Sequence, residues 1–315
     1  MSWKEKNNER EAHSGNEGAY HVPVLLHECV EALQIGVSGV YVDATFGGGG
    51  HSREILKHLG ADGRLIAFDQ DADAQQNLPG DERLTFIPQN FRHLQRFLRA
   101  EGIAKVDGIL ADLGVSSFQF DTAERGFSYR FDGALDMRMN AAGGQTAATV
   151  LNTASAAQLQ QIFGELGEVR NAKTLAAKIV EERLHKPFKT ISDLLGVCEA
   201  VMKGGKHRYW AQVFQALRIE VNDELGALKE LLQQSTLVLK PGGVLAVITF
   251  HSLEDRLVKN FMRSGNFEGE HEKDDFGNIH RVFDVVTKKP IEASSEELSI
   301  NSRARSAKLR VAIKR

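Results

Sequence analysis

A short apolar run, Val40–Ala44, leads into four consecutive glycines, Gly47–Gly50, and a helical pattern follows over 52–59. No other stretch restricts the fold as strongly. Strand, glycine turn and helix in that order open a parallel α/β sheet, and glycine lets a ligand approach the main chain closely. Asp69 closes the next apolar run, Arg64–Phe68, twenty positions beyond Gly49. An acid there meets ribose hydroxyls in nucleoside-binding folds. Taken alone the glycines are as readily a flexible turn; with the strand, the helix and Asp69 added, a nucleoside site is favoured.

The alternation continues. Leu84–Ile87 and Val106–Ala111 are further strands, a helix spans Phe91–Leu98, and another is expected from Asp71. Such alternation gives parallel strands with right-handed crossovers. It stops after Asp112. From about Phe120 to Leu228 the pattern is helical, clearest over Ser155–Phe163, Lys173–Leu184 and Ile191–Met202, with one long helix over Val221–Leu239. Lys240-Pro241-Gly242-Gly243 then ends that helix, and Val244–Phe250 is a fifth strand, with two more over His280–Thr287 and Ala307–Ile313. An amphipathic helix after Pro23 precedes the sheet. The expected organisation is a loose tail over 1–20, a Rossmann-like domain from 21–120 and 229–315, and an inserted helical domain over 121–228.

Composition narrows the function. With 315 residues the chain has room for two domains, or one with an insertion. A formal net charge of −3 means that any nucleic-acid binding has to come from a local patch. No apolar run approaches the ~18 residues of a membrane span, so no membrane partner is expected. The N-terminus lacks an apolar signal segment, and Cys29 and Cys198 are too isolated for a disulfide scaffold, which points to the cytoplasm. The histidines do not cluster with acids at ligand spacing, so no metal is expected.

Three segments carry the chemistry. In Asp43-Ala44-Thr45-Phe46-Gly47-Gly48-Gly49-Gly50-His51, the acid on the strand end would repel a pyrophosphate but suits the ammonium of a methionine moiety. That favours S-adenosylmethionine over NAD. Asp112-Leu113-Gly114-Val115-Ser116-Ser117 places an acid at the carboxyl end of strand four, facing donor or acceptor, with a loop-capping acid as the alternative. In Thr249-Phe250-His251-Ser252-Leu253-Glu254-Asp255-Arg256, Ser252 suits a helix N-cap and the acids its first turn, while His251 is as readily structural as catalytic.

These stretches, with Glu124-Arg125-Gly126-Phe127-Ser128, Leu135-Asp136-Met137-Arg138-Met139, Phe214–Ile219 and Asn301–Ser306, resemble the RsmH (MraW) family from about Tyr20 onward. The resemblance implies a class I S-adenosylmethionine-dependent methyltransferase. It would act on the N4 amine of one cytidine at the decoding centre of 16S ribosomal RNA within the small ribosomal subunit, cytidine 1402 in the usual numbering. It implies donor contacts at Gly49, Gly50, His51, Asp69, Phe91, Asp112 and Gln119. Two departures are visible: the loop is glycine throughout, and Phe118 stands where proline commonly precedes the glutamine. The Asp/Asn/Ser-Pro-Pro-aromatic motif of many amino-methyltransferases is missing after strand four. A catalytic role for Asp112, accepting from the amine, therefore competes with its role toward the donor.

RNA recognition would use local charge and aromatic platforms. Lys203–Arg218 and residues 301–315 supply cations without acids, the first with His207, Tyr209 and Trp210; solvated faces beside buried rings are the alternative. Rival functions are a methyltransferase of this fold acting elsewhere, an NAD-dependent oxidoreductase, and a ribosome-assembly factor without catalysis.

Overall fold

The computed structural model describes residues 23–271 and 281–315. The tail expected over 1–20, and His280 of the sixth strand, lie outside them. Seven strands, β1 (Val40–Asp43), β2 (Arg64–Phe68), β3 (Leu84–Ile87), β4 (Val106–Asp112), β5 (Leu239–Thr249), β6 (Phe283–Val285) and β7 (Lys308–Lys314), form one sheet in the order 3-2-1-4-5-7-6. The first five are parallel, and β7 runs antiparallel between β5 and β6. This is a Rossmann-like sheet, parallel in its first five strands, with an antiparallel pair at one edge. Strand order reverses between β1 and β4, which opens a crevice at their carboxyl ends.

Period-two alternation explains why helices cover both faces. On one face Val42, Ile109, Ala111, Leu245 and Val247 pack with α3 (Leu94–Ala100), α10 (Glu224–Val238) and α11 (Ser252–Ser264). On the other, Tyr41, Leu110, Val244, Ala246 and Ile248 meet α1 (Leu26–Leu33), α2 (Gly50–His58) and α12 (Ser295–Ile300).

Between β4 and β5 lie α4 (Ser117–Asp121), α5 (Ala147–Thr153), α6 (Ala156–Gln161), α7 (Ala172–His185), α8 (Ile191–Val201) and α9 (Lys206–Asn222), followed by α10. Residues from Phe127 to Leu217 share a core separate from the sheet's, centred on Phe163, Leu175, Leu194, Val213 and Leu217. Leu228 onward belongs to the sheet's core. Pairing outside the named strands gives this block one isolated bridge, Ala134 to Thr190, among the described residues.

The long helix expected over Val221–Leu239 is two helices. Asp223 adopts a left-handed conformation (φ 47°) that ends α9 and starts α10, and Arg92 holds its carboxylate at 2.6 Å. The helix expected from Asp71 is a 3-10 turn, Ala72–Asn77, capped by Asp71 and ended before Pro79-Gly80. β5 already begins at Leu239, so Lys240–Gly243 lies within the strand, with Gly242 at φ 82°. The N-cap of α11 is His251, not Ser252: its ring accepts from the Glu254 N–H. An imidazole nitrogen reaches the third amide as well as a hydroxyl does, which residue preference alone does not reveal.

Candidate functional site

The carboxyl ends of β1, β2 and β4 open into a cavity of about 520 Å³, within the ~300–1,000 Å³ usual for small-molecule sites. Gly50, His51, Asp69, Phe91, Asp112 and Gln119 all line it, together with Gly47 and Gly48. Gly49 does not. It N-caps α2 at φ 72°, and a side chain there would meet the Phe46 ring 2.8 Å away. Gly50 is needed because Pro23 packs directly on its α-carbon. The chain itself therefore takes up two of the glycines expected to admit a ligand. Gly48 is the open one, with no atom within 4 Å of the point a β-carbon would occupy.

Acids dominate the wall. Asp69, Asp71, Asp73, Asp112, Glu224 and Glu254 line the cavity, against one arginine, Arg303, among the described residues. Asp69 accepts the Gly47 N–H at 2.7 Å and the Asp71 N–H at 2.8 Å, which ties the glycine loop to β2. Burial still pushes its carboxyl up to about 6. Behind the loop, buried Asp43 accepts from Ser52 Oγ at 2.7 Å and the Thr45 N–H at 3.1 Å.

His51 is also buried. Its Nε2 lies 3.0 Å from the Val24 carbonyl. A carbonyl can only accept, so that nitrogen carries the proton and Nδ1 turns to Asp112 Oδ2, 3.9 Å away. Burial lowers the His51 pKa, which favours the neutral ring. Asp112 is raised well above the usual carboxylate range by burial, then by the Asp43 and Glu254 charges. Its Oδ1 has no hydrogen-bond partner among the described residues. A buried carboxylate oxygen without a partner among the described residues, with other acids around it, fits a cationic ligand and opposes a pyrophosphate.

Gln119 lines the cavity, yet both ends of its amide are engaged. Oε1 accepts the Ser116 N–H in a capping box, and Nε2 donates to Asp71 Oδ2 at 2.6 Å. Asp71 is bound in turn by Arg125 at 2.9 Å. Gln119 thus holds α4 against the 3-10 turn after β2. Phe118, beside it, is 54% exposed on the cavity's edge.

Sequence spacing did not group Glu224, His251 and Glu254, but folding brings their polar atoms within 4.8 Å of one another. Arg218 completes the cluster, donating Nε and Nη2 to the two Glu224 oxygens at 2.8 and 3.0 Å. The Glu224 carboxylate is thereby satisfied by a guanidinium. The signal available in the sequence was the periodic run Phe214–Ile219, in which Arg218 is the one charged residue among apolar neighbours and Gln215.

The basic stretches fare unevenly as an RNA surface. Arg218, half-buried, is taken up by that ion pair, and Arg310, 6% exposed, is clamped by Asp255 at 2.6 and 3.0 Å. Tyr209 and Trp210 are buried among the insert's apolar side chains, so they offer no stacking face. Arg303 pairs with Asp121 at 2.7 Å, and Lys206 with Glu199 at 2.6 Å. Lys203, His207, Arg208 and Arg305 are exposed.

The model of the MraW methylase family matches residues 18–315. "Ribosomal RNA small subunit methyltransferase H" of Cytophaga hutchinsonii is 57% identical over 296 residues, covering 93% of this chain and 99% of its own. The protein of the same name from Parabacteroides distasonis is 55% identical over 300 residues, covering 95% and 98%. That of Phocaeicola vulgatus is 54% identical over 297 residues, covering 94% and 98%.

Proposed function

The chain belongs to the MraW methylase family, and from that premise we propose that it methylates 16S ribosomal RNA of the small subunit with S-adenosylmethionine as donor, at the N4 amine of the decoding-centre cytidine 1402. The observation that carries the donor is the acid-rich cavity over the glycine loop, with its orphaned Asp112 oxygen. The full-length relatives, by their names, support the ribosomal RNA. The cytoplasm, where small subunits assemble, is the corresponding compartment. No described helix is long and apolar enough to cross a membrane.

When bound, the donor supplies a methyl group on a sulfonium. Asp69 would accept from the ribose hydroxyls and Phe91 would flank the base, while Gly47 and Gly48 let the donor lie against the main chain. Gly49 and Gly50 would shape that loop from behind. Asp112, with His51 beside it, faces the cationic methionine end, whose charge offsets the repulsion among Asp43, Asp112 and Glu254. Gln119 would act by fixing α4. Asp112 suits the donor better than the amine, because a carboxyl driven toward its protonated form is a poor acceptor. Residues 121–228 form the second wall, through Met139, Asn222 and Glu224, and would recognise the RNA around the target base. The base has to leave any stack to reach the methyl group.

Methyl transfer from labelled S-adenosylmethionine to 30S particles lacking the modification, with the product nucleoside identified, tests this reading. N4-methylcytidine at the decoding centre is expected. Label in another nucleoside or in protein would overturn the substrate. Donor binding without label would favour the assembly-factor reading.

A further inference from the structure

The cavity has two halves. Asp69, Phe91 and the glycine loop stand over β2, β3 and β1, on one side of the reversal in strand order. Phe250 and Glu254 stand beyond β5, on the other, with Asp112 between them. The first half matches the donor, which leaves the second for the acceptor.

We propose that Glu254 is the catalytic residue that receives the exocyclic amine of the acceptor base, with His251 as its positioning residue. The proposal rests on the methyl-transfer reading above. Glu254 lines the acceptor half, and its side chain is 3% exposed. Oε2 accepts the Phe250 N–H at 2.8 Å, and Oε1 lies 3.1 Å from His251 Nε2. The His251 Nδ1 accepts the Glu254 amide at 3.5 Å, so Nε2 carries the ring proton toward Oε1. A carboxylate has about four acceptor positions; the Phe250 N–H takes one, and the His251 ring stands beside Oε1 at ion-pair distance without an aligned hydrogen bond. An amine offers two N–H groups to the remainder. Glu224, on the same wall, already has its charge met by the Arg218 guanidinium, which donates to both its oxygens.

Charge agrees with this assignment. Burial would raise the Glu254 carboxyl, yet the His251 ring, Arg218 and the Phe250 N–H together bring it below its usual range. Asp112 is driven the opposite way. Of the two acids next to the reacting centre, Glu254 is the one kept ionised. The groups facing it are His251 at its own helix cap, Arg218 from α9, Glu224 from α10 and Asp112 at the end of β4.

In the step itself, the amine lone pair forms the N–C bond as the S–C bond breaks, and the sulfur keeps that electron pair. The nitrogen gains positive charge and releases one N–H proton to a Glu254 oxygen. The neutral methylated amine leaves, and Glu254 returns its proton to solvent. No oxidant or reductant is involved.

Glu254→Gln preserves volume and the bond from Phe250. It should lower kcat on 30S particles by about 10²-fold or more, with S-adenosylhomocysteine affinity and melting temperature close to wild type. The acidic limb of the kcat–pH profile should disappear with it. His251→Asn keeps a capping acceptor but removes the Nε2 donor, so the acidic limb should move to higher pH while donor affinity holds. A folded Glu254→Gln enzyme with wild-type kcat and pH profile overturns the proposal. Should that variant fail to fold, an unmoved acidic limb in His251→Asn overturns it. Wild-type enzyme that binds donor but labels no particle would instead overturn the underlying function, and the proposal with it.

Discussion

The sheet's crevice and the helical insert use charge in opposite ways. Around the crevice, acids gather with too few cations: among the described residues Asp112 keeps an oxygen without a partner and Asp69 is held by two backbone amides, and burial followed by the Asp43 charge raises Asp112. In the insert and along the C-terminal strand, cations are spent on acids of the chain itself, as Arg218 on Glu224 and Arg310 on Asp255. A buried charge has to be paired, and one left unpaired marks where a ligand supplies the counter-charge. The contrast teaches that a count of basic residues is a poor guide to an RNA surface in this chain, whereas unpaired acids mark the cavity proposed for the donor.

The largest test of that contrast is Arg218→Ala. If Arg218 is structural, removing it strands buried Glu224 and should cost about 3–5 kcal/mol of stability, seen as a much lower denaturation midpoint. A small loss, together with weakened RNA affinity, would return Arg218 to the RNA surface. Asp69→Asn tests the crevice. Donor affinity should fall by about 10- to 100-fold, equivalent to ~1.5–3 kcal/mol for hydrogen bonds to a charged group.

The same residue sets a pH dependence. Its carboxyl titrates near 6 in the fold, so affinity for S-adenosylhomocysteine should weaken as pH falls through about 6, and calorimetry on Asp69→Asn should show that dependence flattened. The sign for stability is reversed. Between the ordinary value of 3.8 and about 6 the folded chain holds a proton that the unfolded chain has released, so this group's contribution declines as pH rises across that window. The smallest effect on the fold is expected from neutralising Lys203, Arg208 and Arg305 together. Stability should stay within about 0.5 kcal/mol for each exposed site. The salt slope of RNA binding should drop by about 0.7 for each lost phosphate contact to a single strand. An unchanged slope would put the RNA elsewhere.

How far the sequence could be read depended on the range of the interaction. The five parallel strands were legible from periodicity, since a strand buried on both faces is apolar throughout. Asp69 and Asp112 were legible as cavity-lining residues because each terminates a strand, and strand ends meet at one sheet edge. The break at Asp223 was not, because both flanking helices are periodic and the left-handed residue is held by Arg92, 131 positions away. Gly49 and Gly50 were legible as necessary glycines, but Phe46 and Pro23, which leave no room for a side chain there, were not legible as their neighbours. Tyr209 and Trp210 looked like stacking platforms, and only packing shows them turned inward.

By itself the sequence determined the alternating sheet, the glycine turn with its acids at strand ends, and the family, because each rests on residues close together or on a pattern that repeats. Tertiary structure decided which charges remain available. Arg218, Glu224, His251 and Glu254 come from three separate segments, and whether each carboxylate meets a guanidinium, an imidazole or an open cavity depends on distances that exist only once α9, α10 and the end of β5 have packed together. Burial then makes those distances matter, since a charge removed from water is governed by its nearest partners.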